Sequence, residues 1–268
     1  MEFDIELGSY TDIGKIREKN EDSVIIVPEL CLCAVADGMG GHNAGEVASN
    51  LAVSILRQTL LDLNTRKVDI PSDFEPELPR IARKLLYASS VANLRIHTLA
   101  TESYKRRGMG TTLSAIYVED AQNAAAVHIG DSRIYLLRGG KLSQISLDHS
   151  YVMEQVARGL LTKEEADKSR IQNILTKALG LRKDIKCDVI KLAPQVGDVY
   201  MLCSDGVNKG INDAKIEEIL GRKLSAGKLA HAIVKVSAAK DGKDNVSAAV
   251  MKVLPKTKKP LFRRLFSK

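Results

Sequence analysis

Residues 108–145 read GMGTTLSAIYVEDAQNAAAVHIGDSRIYLLRGGKLSQI, and the period of this stretch decides the class of fold. Apolar and β-branched side chains dominate 111–118, 124–129 and 133–137, and the Gly139-Gly140 pair then supplies a hairpin turn into 141–145. Four short strands joined by short links predict an antiparallel meander. Toward the N-terminus the period becomes helical. Residues 44–63 repeat Val47, Leu51 and Ile55, and residues 78–100 repeat Ile81, Leu85, Ala88, Ala92 and Ile96. The stretch 69–79 holds three of the seven prolines and reads as the loop between these two helices. Further out, strand-like runs at 24–27 and 31–36 flank the Pro28-Glu29 turn signal, and strands at 199–203 and 246–253 bracket helices near 213–220 and 225–238. Strand runs interleaved with helix pairs, without steady βαβ alternation, predict an α+β domain of antiparallel sheets covered by helices. Residues 1–253 form this domain, with a charged insertion at 148–182, and 254–268 are a basic tail.

At 268 residues the chain can bury a core without disulfides or structural metal. Its formal charge is +7, and the seven bases of residues 252–268, which contain no acid, account for all of it. The body is therefore neutral, with no electrostatic footprint for nucleic acid. Cys31, Cys33, Cys187 and Cys203 make no Cys-x-x-Cys pair and read as reduced core residues. The first residues, Met1-Glu2-Phe3-Asp4, carry acids where a signal peptide carries bases, and no apolar run approaches the length of a membrane span. The expected compartment is the cytoplasm. The tail is either a solvated end or, through Leu261-Phe262-Arg263-Arg264-Leu265-Phe266, a contact for an anionic membrane or a partner.

Three apolar strands end on an aspartate beside glycine: 33–38 at Asp37-Gly38, 127–131 at Gly130-Asp131, and 201–206 at Asp205-Gly206. Asp244 precedes the last strand, and Glu21-Asp22 precede an earlier one. Carboxylates gathered at strand ends suit hard divalent cations such as Mg²⁺ and Mn²⁺, which take oxygen ligands. Each Asp-Gly alone reads equally as a turn, and spacing does not show that the carboxylates meet.

In order along the chain stand Arg17 with Asn20-Glu21-Asp22-Ser23, then Ala36-Asp37-Gly38-Met39-Gly40-Gly41-His42 with Gly45-Glu46-Val47-Ala48-Ser49, and Gly108-Met109-Gly110-Thr111-Thr112-Leu113. His128-Ile129-Gly130-Asp131-Ser132-Arg133, Asp148-His149-Ser150, Leu202-Cys203-Ser204-Asp205-Gly206 and Asp244-Asn245 follow. This series, over about residues 5–253, resembles the bacterial branch of the metal-dependent, 2C-type serine/threonine protein phosphatases. The resemblance implies a central β-sandwich of two antiparallel sheets flanked by helix pairs, with two Mn²⁺ or Mg²⁺ ions at one end. By position it implies that Asp37 bridges the ions, that the Gly38 carbonyl binds one, and that Asp205 and Asp244 complete the other. Glu21 and Asp22 would act through metal-bound waters, and Asp131 with Asp205 would take a third, weaker ion. Arg17 would bind the phosphate, and residues 148–182 would form a flap beside the substrate groove.

The implied activity is hydrolysis of phosphoserine and phosphothreonine in proteins by a metal-activated water, reversing a bacterial serine/threonine kinase, by a monomer. The alternatives are a catalytically silent phosphoprotein-binding domain on the same fold and a hydrolase of small phosphoesters. The intact Asp37, Asp205 and Asp244 favour the enzyme. Met39 stands where many eukaryotic members of the family have histidine, so His42 is either a general acid or an orienting residue beside Glu46. Asp167-Lys168-Ser169 and Val207-Asn208-Lys209-Gly210 depart from the family pattern while sparing the expected ligands.

Overall fold

The computed structural model describes residues 1–41, 44–102, 104–167, 169 and 171–257. The elements, in chain order, are β1 (Phe3–Asp12), β2 (Asp22–Val27), β3 (Leu32–Met39), α1 (Ala44–Asn64), α2 (Arg80–Glu102), β4 (Gly110–Thr111), β5 (Leu113–Val118) and β6 (Ala124–Ile129). They continue with β7 (Arg133–Arg138), β8 (Lys141–Gln144), α3 (Tyr151–Ala157), α4 (Lys163–Asp167), β9 (Asp188–Leu192), β10 (Val199–Cys203), α5 (Asp205–Gly210), α6 (Asp213–Leu220), α7 (Ala226–Lys240) and β11 (Val246–Pro255). One sheet runs β1-β11-β10-β7-β8 and the other β2-β3-β5-β6-β9, with β4 paired to β3, and the described ladders are antiparallel.

The sheets stack face to face, and period 2 explains how. Along β3, Cys33 and Val35 join Ile116, Ile134, Tyr200, Leu202 and Met251 between the sheets. Leu32, Ala34 and Ala36 face the other way, onto Leu56, Leu60, Leu85 and Ile96 of α1 and α2. The central strands are buried on both faces, so they read as continuous apolar runs rather than alternating ones. On the far side, Val199, Met201 and Cys203 of β10 pack with Val207, Ile216, Ile233 and Val234 from α5, α6 and α7. The result is four layers, helix, sheet, sheet, helix. Full burial of a single leucine such as Leu56 is worth about 1.5–3 kcal/mol against exposure, so three such clusters hold the layers together. Asn212 and Ser225 cap α6 and α7, accepting from the amides of Lys215 and Lys228.

The long helices and most strands stand where their periods place them, and three of the four cysteines are buried thiols. The meander does not survive as one sheet. It splits at Gly130, whose φ of +107° turns the chain from β6 in one sheet to β7 in the other. The strand read over 111–118 is also interrupted, at Thr112. Its hydroxyl, in place of its carbonyl, accepts from the Asp37 amide at 2.9 Å, while its own amide donates to the Asp37 carbonyl at 2.9 Å. Strand β9 and helix α5 carry too little periodicity to be read, and β11 continues two residues past the boundary expected at 253. His42, Lys168 and the tail segment 258–268 lie outside the described residues.

Candidate active site

Pairing of β2 with β3 sets Asp22 directly opposite Asp37, so both carboxylates leave the sheet on one side. The other sheet reaches the same point through the ends of β10 and β11. The Ser204 amide donates to the Ser247 carbonyl at 3.1 Å, and the Ser247 amide donates to Ser204 Oγ at 3.0 Å. Ser204 Oγ in turn donates to Asp22 Oδ2 at 2.7 Å, joining the two sheets across their ends. Gly206 must be glycine, because a Cβ there would lie 2.0 Å from the Asn245 carbonyl oxygen. That contact holds the start of α5 against the residues before β11, and hence Asp205 beside Asp244.

Gly38 and Gly45 press the end of β3 against the start of α1, where a Cβ on Gly38 would lie 2.1 Å from the Gly45 carbonyl oxygen. The Gly38 amide donates to the Glu21 carbonyl at 3.0 Å. Asn245 staples the loop that carries Arg17: its Oδ1 accepts from the Glu21 amide at 2.9 Å, and its Nδ2 donates to the carbonyls of Ile13 and Lys19. Arg17, about half exposed, pairs with Asp244 Oδ1 at 2.8 Å. Thus Arg17 forms the carboxylate pair that an exposed arginine commonly finds, and does so at the edge of the site.

The electrostatics show the carboxylates converging. Burial raises the Asp37 carboxyl well above the ordinary aspartate range, and repulsion from Asp22, Asp205, Asp131 and Asp244 adds to it. Burial likewise pushes Asp22 and Asp131 up to about 7 and raises Glu21 and Asp205. At Asp244 burial is outweighed by the charges of Lys209 and Arg17, and its carboxyl lies below the ordinary range. Lys209 Nζ bridges Asp205 Oδ2 at 2.5 Å and Asp244 Oδ2 at 3.0 Å. Among the described residues no three acidic, histidine or cysteine side chains form a finished ligating array. The donor set nevertheless fits a hard divalent ion. It is all oxygen, it carries a surplus of negative charge, and Asp22 Oδ1 and Asp205 Oδ1 are buried with no hydrogen-bond partner.

A cleft of about 880 Å³ opens over this end. Arg17, Asp131, Asp205, Lys209 and Asp244 line it, together with Ser150, Val152, Met153, Gln172 and Asn173 of the flap. Asp22 and Asp37 do not line it. The expected flap is pinned to the body by a bridge from Thr111 to Leu179, and a second bridge, from Ser150 to Leu175, closes it on itself. Arg133 on β7 and Asp148, the first residue of the flap, form a largely buried fork at 2.7–3.1 Å. His128 is a satisfied core residue: its Nε2 donates to the Leu147 carbonyl, its Nδ1 accepts from Ser114, and burial drops its pKa to about 4. Nothing local in the sequence marks Ser204, Asn245 and Thr112 as positioning groups, and Lys209 stands out there only as a departure from the family pattern. Only the i, i+4 spacing of Asp205 and Lys209 could have marked the pair, given a helix to carry it.

A β-sandwich whose end gathers buried carboxylates under an open cleft fits a divalent-metal enzyme. The family model for protein phosphatase 2C matches residues 18–235. The chain is 34% identical over 251 residues to protein phosphatase PhpP of Streptococcus pneumoniae, covering 92% of this chain and 97% of that one. Among solved structures it is similar to the Mycobacterium tuberculosis serine/threonine phosphatase PstP/Ppp, with a TM-score of 0.81, 34% identity and coverage of 93% of this chain and 99% of that one. It is also similar to the PstP catalytic domain in complex with two manganese ions, with a TM-score of 0.79, 33% identity and coverage of 94% and 99%. The chain belongs to the protein phosphatase 2C family of divalent-metal-dependent serine/threonine phosphatases. The alternative of a catalytically silent domain finds no support.

Proposed function

We propose that this phosphatase removes phosphate from phosphoserine and phosphothreonine in proteins with two Mn²⁺ or Mg²⁺ ions, Asp37 bridging them. In this reading the Gly38 carbonyl binds one ion and Asp205 with Asp244 the other. Glu21 and Asp22 act through water, and Asp131 with Asp205 takes a third, weaker ion. The observation that carries it is the meeting of Asp22, Asp37, Asp131, Asp205 and Asp244 at one end of the sandwich, where burial, with mutual repulsion adding to it, holds four of the five carboxyls above their ordinary range. When bound, a divalent pair lowers the pKa of the attacking water and neutralises charge growing on the phosphoryl oxygens.

The chain's own residues do the rest. Arg17, at the cleft mouth, offers a planar fork that suits two phosphate oxygens, and Asn245 holds the loop that carries it. Ser204 fixes the orientation of Asp22. The flap residues Met153 and Asn173 wall the groove in which a peptide lies. The domain spans 1–253 and acts as a monomer in the cytoplasm on phosphorylated proteins, a serine/threonine kinase among them. Among the described residues no helix is long and apolar enough to cross a membrane. Hydrolysis of an aryl phosphate and of phosphothreonine peptides tests the reading: Mn²⁺ or Mg²⁺ supports turnover, and chelator or Asp205→Asn removes it. Turnover that survives either treatment overturns it.

A further inference from the structure

Two cations of the site belong to the chain itself: Arg17, paired with Asp244 alone, and Lys209, which reaches both Asp205 and Asp244. Helix α5 begins at Asp205, and its i, i+4 geometry sets Lys209 one turn above that carboxylate. From there the ammonium reaches across to Asp244, on the segment before β11, and bridges both carboxylates. These two carboxylates are the pair assigned above to one divalent ion. Asp205 Oδ1 meanwhile has no partner, so the ammonium satisfies the pair only in part. Its side chain is 27% exposed and lines the cleft, which gives it a way out.

We infer that Lys209 is an internal counter-ion that competes with the divalent cation for Asp205 and Asp244, holding the pair together in the metal-free chain and leaving when the ion binds. The inference rests on the two-ion reading above. It separates the two ions by affinity: the one held through Asp37 and Gly38 loads without displacing a side chain, whereas the one at Asp205 and Asp244 must first break two charge-assisted contacts. Losing those contacts is worth roughly tenfold to a hundredfold in binding. Lys209→Met, which keeps the aliphatic stem and removes the charge, isolates the effect.

Mn²⁺ titration of the full, metal-stripped chain, followed by calorimetry and by the electron paramagnetic resonance signal of free Mn²⁺, provides the test. The expected result is two tighter ions and the weaker third in the wild type, a tenfold or greater gain in affinity for the ion at Asp205 and Asp244 in Lys209→Met, and little change in the one held through Asp37 and Gly38. The metal-free variant should also melt below the metal-free wild type, and the difference should close at saturating Mn²⁺. Equal or weaker binding of the ion at Asp205 and Asp244 by Lys209→Met overturns the inference while leaving the two-ion reading standing. Binding of no ion by the wild type overturns both. A second measurement needs no variant: amine labelling of Lys209, read by mass spectrometry, should speed up when Mn²⁺ is added to the wild type. Labelling that stays level or slows refutes displacement.

Discussion

Replacing Asp22 by asparagine should change how the stability of the metal-free protein depends on pH, and the structure sets the size of the change. Asp22 is 8% exposed, and burial lifts its carboxyl from 3.8 to about 7 against the pull of its serine hydrogen bonds. Holding the proton that much more tightly corresponds to about 4 kcal/mol withheld from the ionised form. A folded-state pKa above the unfolded value makes this contribution complete below the ordinary aspartate range and loses it as pH rises through about 7. Between about pH 5 and pH 8 the metal-free wild type should therefore lose about 2–3 kcal/mol that Asp22→Asn does not lose. Asparagine keeps an oxygen that can accept from Ser204, so the packing is preserved. Urea unfolding followed by circular dichroism in chelator, at both pH values, measures the difference. Parallel loss of stability in the two proteins would refute the claim that Asp22 is held as a buried acid among like charges. Adding Mn²⁺ at the higher pH should return the lost stability to the wild type, since a bound cation favours the ionised carboxylate.

Three further outcomes follow from the same geometry. Gly206→Ala places a methyl 2.0 Å from a backbone oxygen that cannot turn aside, so it should cost about 1–3 kcal/mol in urea unfolding and, by parting Asp205 from Asp244, weaken the stabilisation by Mn²⁺ in a thermal melt. Arg133→Ala removes the cation from the buried carboxylate of Asp148, leaving it the Gln144 amide, and should cost about 3–5 kcal/mol; loss of protection in the flap by hydrogen exchange would locate the damage there. Tyr135→Phe removes the hydroxyl that accepts from Asn208 at 2.7 Å and donates to Asp213 at 3.0 Å. It should cost about 1–3 kcal/mol, read as a lower urea midpoint, with the m-value unchanged.

Sequence period was informative where one face of an element decides its neighbours. Ile81, Leu85, Ala88 and Ile96 recur at helical spacing because α2 buries one stripe on α1 and the sheet, and the run from Ala124 to Ile129 reads as a strand because both its faces are covered. Sheet membership was not legible in the same way. Strands β6 and β7 are consecutive, apolar and close, yet a positive φ at Gly130 sends them to different sheets. Nothing in a period-2 pattern distinguishes a hairpin from a crossing between stacked sheets, since both bury alternate residues. The edge strand β9, with Lys191 exposed and its other residues largely half-buried, lacked the pattern altogether.

The site divides along the same line. Its acids could be named because each stands at one end of an apolar strand, but their meeting depends on tertiary contacts between glycines and backbone oxygens that no local pattern records. Lys209 is the sharper case. Its partnership with Asp205 is an ordinary i, i+4 pair, legible to anyone who knew that a helix began at Asp205. A six-residue helix with glycine at 206 and 210 has no period to read, and Gly is the poorest helix former after Pro. What makes α5 a helix is burial of Val207 against α7 and β11 and the close seat of Gly206 on Asn245. The cation that competes for the site is thus placed by the same contact that brings Asp205 beside Asp244, so a change at Gly206 should disturb the lysine bridge and metal binding together. Lys209→Met should separate the two, because it removes the bridge and leaves the backbone contact in place.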